Sequence, residues 1–244
     1  GRKIVLEGEE AFLSPSNSDE GINYLISLKG GLLPWENKKD ILSRYHEVLK
    51  NLENLFPEIK KSYLANYVHD LFVYDRGKKE DDFLKAIERV NELYKDIEER
   101  SIALRTLVRT FWIKDEVFVA HLMSTPHQHL LNEDNYSKLG SGYKVIHINR
   151  PRFDIFGKTI EFDINPKGWM LKVMRHMRII RTLLPSWHKK EKEISDFLRK
   201  QILQIIPTLP QEKKRESLKK CENVKGYREI RYQKFDEIFG EIKS

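Results

Sequence analysis

A single cysteine, Cys221, stands in 244 residues, so the chain can close no internal disulfide, build no thiolate zinc site and hold no iron–sulfur cluster on four thiols of its own. With no activating arrangement evident around it, Cys221 reads as a small, partly buried, inert side chain rather than a nucleophile. Long apolar runs are missing as well. None approaches the roughly 18 uninterrupted apolar residues that cross a bilayer, and no apolar stretch follows a basic head at the N-terminus. The expectation is a cytoplasmic protein with no membrane partner. Also absent are Gly-x-Gly-x-x-Gly, a phosphate loop, a nucleophile elbow and His-Glu-x-x-His. Gly30-Gly31, ahead of Leu32-Leu33-Pro34, reads as a turn rather than a phosphate cradle. Neighbouring acids such as Glu98-Glu99 and Asp81-Asp82 point about 100° apart on a helix, which does not suit paired acid–base work.

What the chain does have is charge and helical periodicity. Its 33% charged and 40% hydrophobic residues suit a soluble, globular, helix-rich fold, and the length allows one large domain or two small ones. Apolar residues recur at i, i+3, i+4, i+7 in Ile41, Tyr45, Val48, Leu49, Leu52, and again in Tyr63, Leu64, Tyr67, Val68, Leu71, Phe72. Phe83 to Ile97, Leu104 to Trp112, Ile194 to Ile205 and Phe235 to Ile242 repeat the pattern. Pro57, Asp75 to Gly77, Pro126, Pro151, Pro185, Pro207 and Pro210 fall between these runs, where a missing amide or fixed φ costs least.

One stretch departs from helix. Lys144–Asn149 and Thr159–Asp163 alternate apolar and polar around Phe156-Gly157-Lys158, which predicts a β-hairpin over about 143–163. The expected fold is therefore mainly α, a multi-helix bundle with one hairpin. Residues 1–36 would form an extended or loop segment with a possible short strand at Lys3–Leu6, and 37–244 the helical domain.

The basic balance is concentrated. Residues 167–200 carry ten Lys or Arg against three acids, a surplus equal to the whole chain's net charge of +7. Trp169 to Leu184 reads as one amphipathic helix with Trp169 anchored in the core and Lys172, Arg175, Arg178 and Arg181 winding across the other side. That stripe can be a solvated face, a docking surface for an acidic partner, or a site for nucleic acid or a phosphorylated ligand. If it docks a partner, its arginines should matter more to binding than to stability. His121, His127 and His129 form a second cluster. They read as solvated or hydrogen-bonded loop histidines, with a small metal-dependent enzyme as the alternative.

Three stretches carry a family likeness. Lys114-Asp115-Glu116 with Val119-Ala120-His121-Leu122 resembles Tyr-Lys-Asp-Glu-x-x-Val-Ala-Arg-Leu in the C-terminal helical domain of indolepyruvate ferredoxin oxidoreductases. Gly168-Trp169-Met170-Leu171 with Arg175 is similar to that family's Gly-Pro-Trp-Met-Leu and following Phe-Arg. Val224-Lys225-Gly226-Tyr227 resembles its Ile-Arg-Gly-Tyr. The likeness runs from about Tyr63 to Phe239. Departures include Arg181 in place of a glycine, Pro185-Ser186 for Asp-Pro, and Arg228-Glu229-Ile230-Arg231 for Gly-His-Val-Lys.

The resemblance implies a context rather than a chemistry. Such enzymes decarboxylate aryl 2-oxoacids on thiamine diphosphate and pass electrons through iron–sulfur clusters, with those cofactors in other domains or subunits. This chain would then be an accessory or assembly module without a complete active site or cofactor, its partners the catalytic subunits or domains. The alternatives are a basic helical nucleic-acid-binding protein and the histidine metalloenzyme.

Overall fold

The computed structural model describes residues 2–6, 9–13, 22–125, 152–155, 158–161, 167–183, 187–226 and 228–240. Most of them are helical, which places the chain in the mainly α class. In order the helices are α1 (Ile22–Gly30), α2 (Lys38–Leu55), α3 (Lys61–Asp75), α4 (Glu80–Leu93), α5 (Ile97–Val108) and α6 (Glu116–Met123). They continue with α7 (Gly168–Met174), α8 (Ile180–Leu183), α9 (Lys189–Lys200), α10 (Gln211–Asn223) and α11 (Glu229–Phe239). A π-helical turn, Gln201–Ile205, and a 3-10 turn, Ile206–Thr208, extend α9.

The chain folds into two compact units. The first takes Gly1–Leu49, Lys60–Gly77 and Lys114–Trp187; the second takes Lys50–Ile59, Lys78–Ile113 and His188–Ser244. Residues 36 and 37 therefore both fall within the first unit. The second unit stacks α4 on α5 and α5 on α10 and α9. Phe83 meets Phe111 edge to face at 5.1 Å, and the Tyr94 hydroxyl donates to the Ile202 carbonyl at 2.7 Å, so the irregular turn after α9 is held by a buried phenol. Cys221 lies in this unit, 1% exposed, and burial pushes its thiol up to about 12.

In the first unit α3 packs on α1 and α6, and α6 packs on α7. Its core is the apolar face read from the sequence: Ile41, Tyr45, Val48, Leu64, Val68, Leu71 and Phe72 are all buried, as are Val117 and Phe118. The Tyr45 hydroxyl donates to the Ala65 carbonyl at 3.3 Å. Helix α3 ends where the sequence breaks. Arg76 adopts a left-handed φ of 63° and its amide closes on the Phe72 carbonyl at 2.9 Å, with Gly77 next at φ 75°. Helix α6 starts on an N-cap, the Phe118 amide donating to Asp115 Oδ1 at 2.8 Å.

Three expectations change. The hairpin is not supported as expected: Lys144–Asn149 lies outside the described residues, and the segment paired antiparallel with Lys158–Glu161 is Arg152–Ile155. A second short pair joins Arg2–Leu6 to Glu9–Leu13. The helix expected from Trp169 to Leu184 is broken into α7 and α8 by turns over 175–179. Trp169 is no core anchor either, being 64% exposed. Both corrections have one cause, described next: the arginines of this segment turn inward and take the place the apolar face was expected to fill.

Candidate functional site

Within the first unit, four stretches far apart in sequence bring their polar groups together. The first is the end of α1, where the last carbonyls of the helix have no partner inside it and carry its negative end. Arg76 Nη2 donates to the Gly31 carbonyl at 2.8 Å and Arg175 Nη2 to the Gly30 carbonyl at 3.1 Å. Gly30-Gly31 thus presents carbonyls to cations and is not a phosphate cradle. Glu36, just beyond, is a hub that joins this stretch to the second, the end of α3 with Arg76. Its Oε1 accepts from Arg76 Nε at 2.8 Å and from Arg178 Nη2 at 3.0 Å, and its Oε2 accepts from the Leu33 amide at 2.7 Å. Burial pushes the Glu36 carboxyl up, but the bonds from Arg76, the Leu33 amide and Arg178 outweigh it and hold it at about 2.

The third and fourth stretches are the start of α6 and the α7–α8 segment. Arg181 grips Asp115 with two bonds, Nε to Oδ2 at 2.5 Å and Nη2 to Oδ1 at 2.8 Å. Its Nη1 donates to the Tyr74 carbonyl, and its guanidinium lies 4.0 Å from the centroid of the Tyr74 ring. Arg175 also reaches the Ser124 hydroxyl at 3.4 Å. The basic stripe is therefore not a free face: Arg175, Arg178 and Arg181 are all bonded within the unit, and Lys172 is left exposed on the surface. Helical spacing alone could not show this, because the acceptors at Gly30, Glu36 and Asp115 lie 66 to 145 positions away in the chain.

Histidines line the same region. His69 sits between the Ser27 hydroxyl, 3.1 Å from its Nε2, and Asp70 Oδ1, 3.0 Å from its Nδ1. This is the hydroxyl, imidazole, carboxylate order of a nucleophilic triad. Ser27 is only 3% exposed and His69 2%, so no substrate reaches the hydroxyl in this conformation, and the chain of bonds satisfies buried polar groups instead. The His121 ring lies 5.8 Å from that of His69 and rests against the backbone of Gly31, where an added Cβ would stand 2.2 Å from its Cε1. Burial holds the His121 pKa well below the ordinary value, and the charges of His69, Arg76, Arg175 and His176 add to it. Burial also lowers His176, aided by Arg175, Arg76 and Arg178.

Of the other residues singled out in the sequence, Lys114 is exposed and Glu116 is 4% exposed at the start of α6. Met170 is half-buried. Gly226 holds a φ of 129° that an L side chain rarely adopts, and a Cβ there would meet Ile230 at 2.9 Å. Tyr227, His127 and His129 lie outside the described residues. Among the described residues no group of three or more His, Cys, Asp or Glu could hold a metal ion. Sequence reasoning missed Ser27, Glu36, His69, Arg76 and His176, and only the break at Asp75 to Gly77 hinted at one of them. No family model, curated protein or solved structure matches the chain.

Proposed function

We propose that the chain is an accessory or assembly module of an indolepyruvate-type 2-oxoacid ferredoxin oxidoreductase. It docks on the subunits or domains that hold the reactive centre and has no complete active site of its own. The observation that carries this reading is an exposed apolar strip. Trp169, Val173, Met177, Ile179 and Leu183 are 41% to 68% exposed, and they are half of the ten large apolar side chains that the described residues leave in water. Concentrating them in 15 residues leaves apolar area in water that a partner would remove, which is how docking surfaces differ from scattered exposed residues. Lys172, exposed within the strip, supplies a polar rim. The strip begins on Gly168-Trp169-Met170-Leu171, one of the stretches on which the family resemblance rests. Lys114-Asp115-Glu116, another of them, is tied to the strip's own segment by the Arg181 grip on Asp115.

Co-expression with the catalytic subunits of such an oxidoreductase, followed by size-exclusion chromatography, tests the reading. The chain should co-elute with them, and Trp169→Glu with Leu183→Glu should abolish co-elution while leaving the circular dichroism and melting temperature of the free chain in place. Alone, the chain should neither bind thiamine diphosphate nor reduce a viologen dye with indolepyruvate. Turnover by the isolated chain would overturn the assignment.

A further inference from the structure

Around Glu36 the charges of the described residues do not balance. Among the described residues, Glu36 is the only carboxylate bonded to the guanidiniums of Arg76, Arg175 and Arg178, and its bonds go to two of them. The nearby acids Asp70 and Asp115 are engaged by His69 and Arg181. Among the described residues Arg175 has neutral acceptors alone: the Gly30 carbonyl, the Ser124 hydroxyl and the His176 ring. Like charges held half-buried repel one another through a medium less polar than water, so an added anion gains there what it would not gain at an open surface.

Two buried nitrogens add a second, independent observation. Arg175 Nε can only donate, so His176 Nε2, 3.1 Å away, accepts and the neutral ring carries its proton on Nδ1. That Nδ1 is a buried donor with no hydrogen-bond partner. His121 Nε2 is likewise buried and without a partner, on a residue 2% exposed. Buried polar atoms are nearly always satisfied, and two unsatisfied ones beside an excess of positive charge describe a place for oxygen atoms. The two rings belong to one cluster: His121 rests on Gly31, whose carbonyl accepts from Arg76, and its own carbonyl accepts from the Ser124 hydroxyl that Arg175 reaches, while Arg175 also donates to His176.

We propose that His121, Arg175, His176 and Arg178 line a binding site for a small oxyanion, a phosphate or a carboxylate group. The His176 Nδ1–H and the arginines donate to its oxygens, and its charge offsets the surplus that Glu36 leaves. The site shares its segment with the exposed strip but uses other side chains, Arg175, His176 and Arg178 in place of Trp169, Val173, Met177, Ile179 and Leu183, and it does not depend on the accessory-module reading. It is measured on the free chain, so the two succeed or fail independently.

The test titrates the full chain with inorganic phosphate and, separately, with acetate, at ionic strength held constant with sodium chloride. Binding is read by calorimetry and by the nitrogen resonances of the histidine side chains. Saturable binding with Kd of about 1 mM or tighter is expected for at least one of the two. The His121 and His176 resonances, assigned by their loss in His121→Asn and His176→Asn, should shift, and both rings should titrate at higher pH in the bound form because an anion favours the imidazolium. A tighter phosphate marks a phosphorylated ligand, and a tighter acetate a carboxylate. Arg175→Gln and Arg178→Gln should each weaken binding tenfold or more, while Lys172→Gln leaves it unchanged. No saturable binding up to about 20 mM of either anion, well past that dissociation constant, overturns the proposal. So does an equal loss in Lys172→Gln, which would mark diffuse surface attraction. Should one arginine variant fail to fold, the other variant and the wild-type histidine shifts still decide.

Discussion

Replacing Arg181 by alanine separates the two roles an arginine on this segment could have. Asp115 is buried, its side chain 2% exposed, and that of Arg181 is 16% exposed. Removing Arg181 deletes both bonds to the carboxylate, the bond to the Tyr74 carbonyl and the stacking on the Tyr74 ring. The carboxylate keeps the Phe118 amide as a donor. Leaving one member of a buried pair uncompensated costs about 3–5 kcal/mol. For a chain of this size each kcal/mol moves the melting temperature by about 2–4 °C, so the variant should melt at least about 6 °C lower. Urea unfolding followed by tryptophan fluorescence measures the loss directly. Asp115→Ala should cost as much, because it removes the cap of α6 along with the pair. The double variant should cost less than the two singles together, with a coupling of about 1–3 kcal/mol. A loss under about 1 kcal/mol for Arg181→Ala, the range of surface ion pairs, would refute the inward grip and return Arg181 to the surface.

Trp169→Ala should change stability by no more than about 0.5 kcal/mol, as for surface substitutions generally; a loss of 3 kcal/mol or more in the same urea assay would put the ring back in the core. Gly31→Ala should destabilise by about 1–3 kcal/mol, because the new methyl would stand 2.2 Å from the His121 ring, and His121→Ala in the same chain should restore part of the loss. Glu36 titrates at about 2 in the folded chain against an ordinary 4.5, so the stability it adds is complete above the ordinary value and fades as pH falls from there toward 2. Glu36→Gln should flatten that part of the acid-unfolding curve, and an unchanged acid limb would argue against the hub. Cys221, with its thiol pushed up to about 12 by burial, should react with a thiol reagent only on unfolding.

Periodicity is a local property, and what depended on it could be read directly. The faces carrying Ile41, Tyr45, Leu64, Val68, Phe83, Val90, Leu104 and Leu198 are buried as the spacing implied, because one side of a helix lies opposite whatever the chain packs against it. The break at Asp75 to Gly77 was legible for a similar reason: it follows from backbone conformations that few residues tolerate.

The segment after Gly168 shows where local reading stops. Its pattern implied apolar side chains inward and arginines outward, and the fold reverses much of that. Leu171 is buried, yet Trp169, Val173, Ile179 and Leu183 face water while Arg178 and Arg181 bond to Glu36 and Asp115. The spacing of a stripe reports which residues share a face and not which face meets the core. That choice fell to acceptors more than 60 positions away, whose carboxylates offer buried guanidiniums partners that water would otherwise supply. Sequence by itself determined the helices and the residues able to fill a core. Only tertiary structure decided which side of this segment turned inward, because a buried charge is tolerated solely where an opposite one has been brought to meet it.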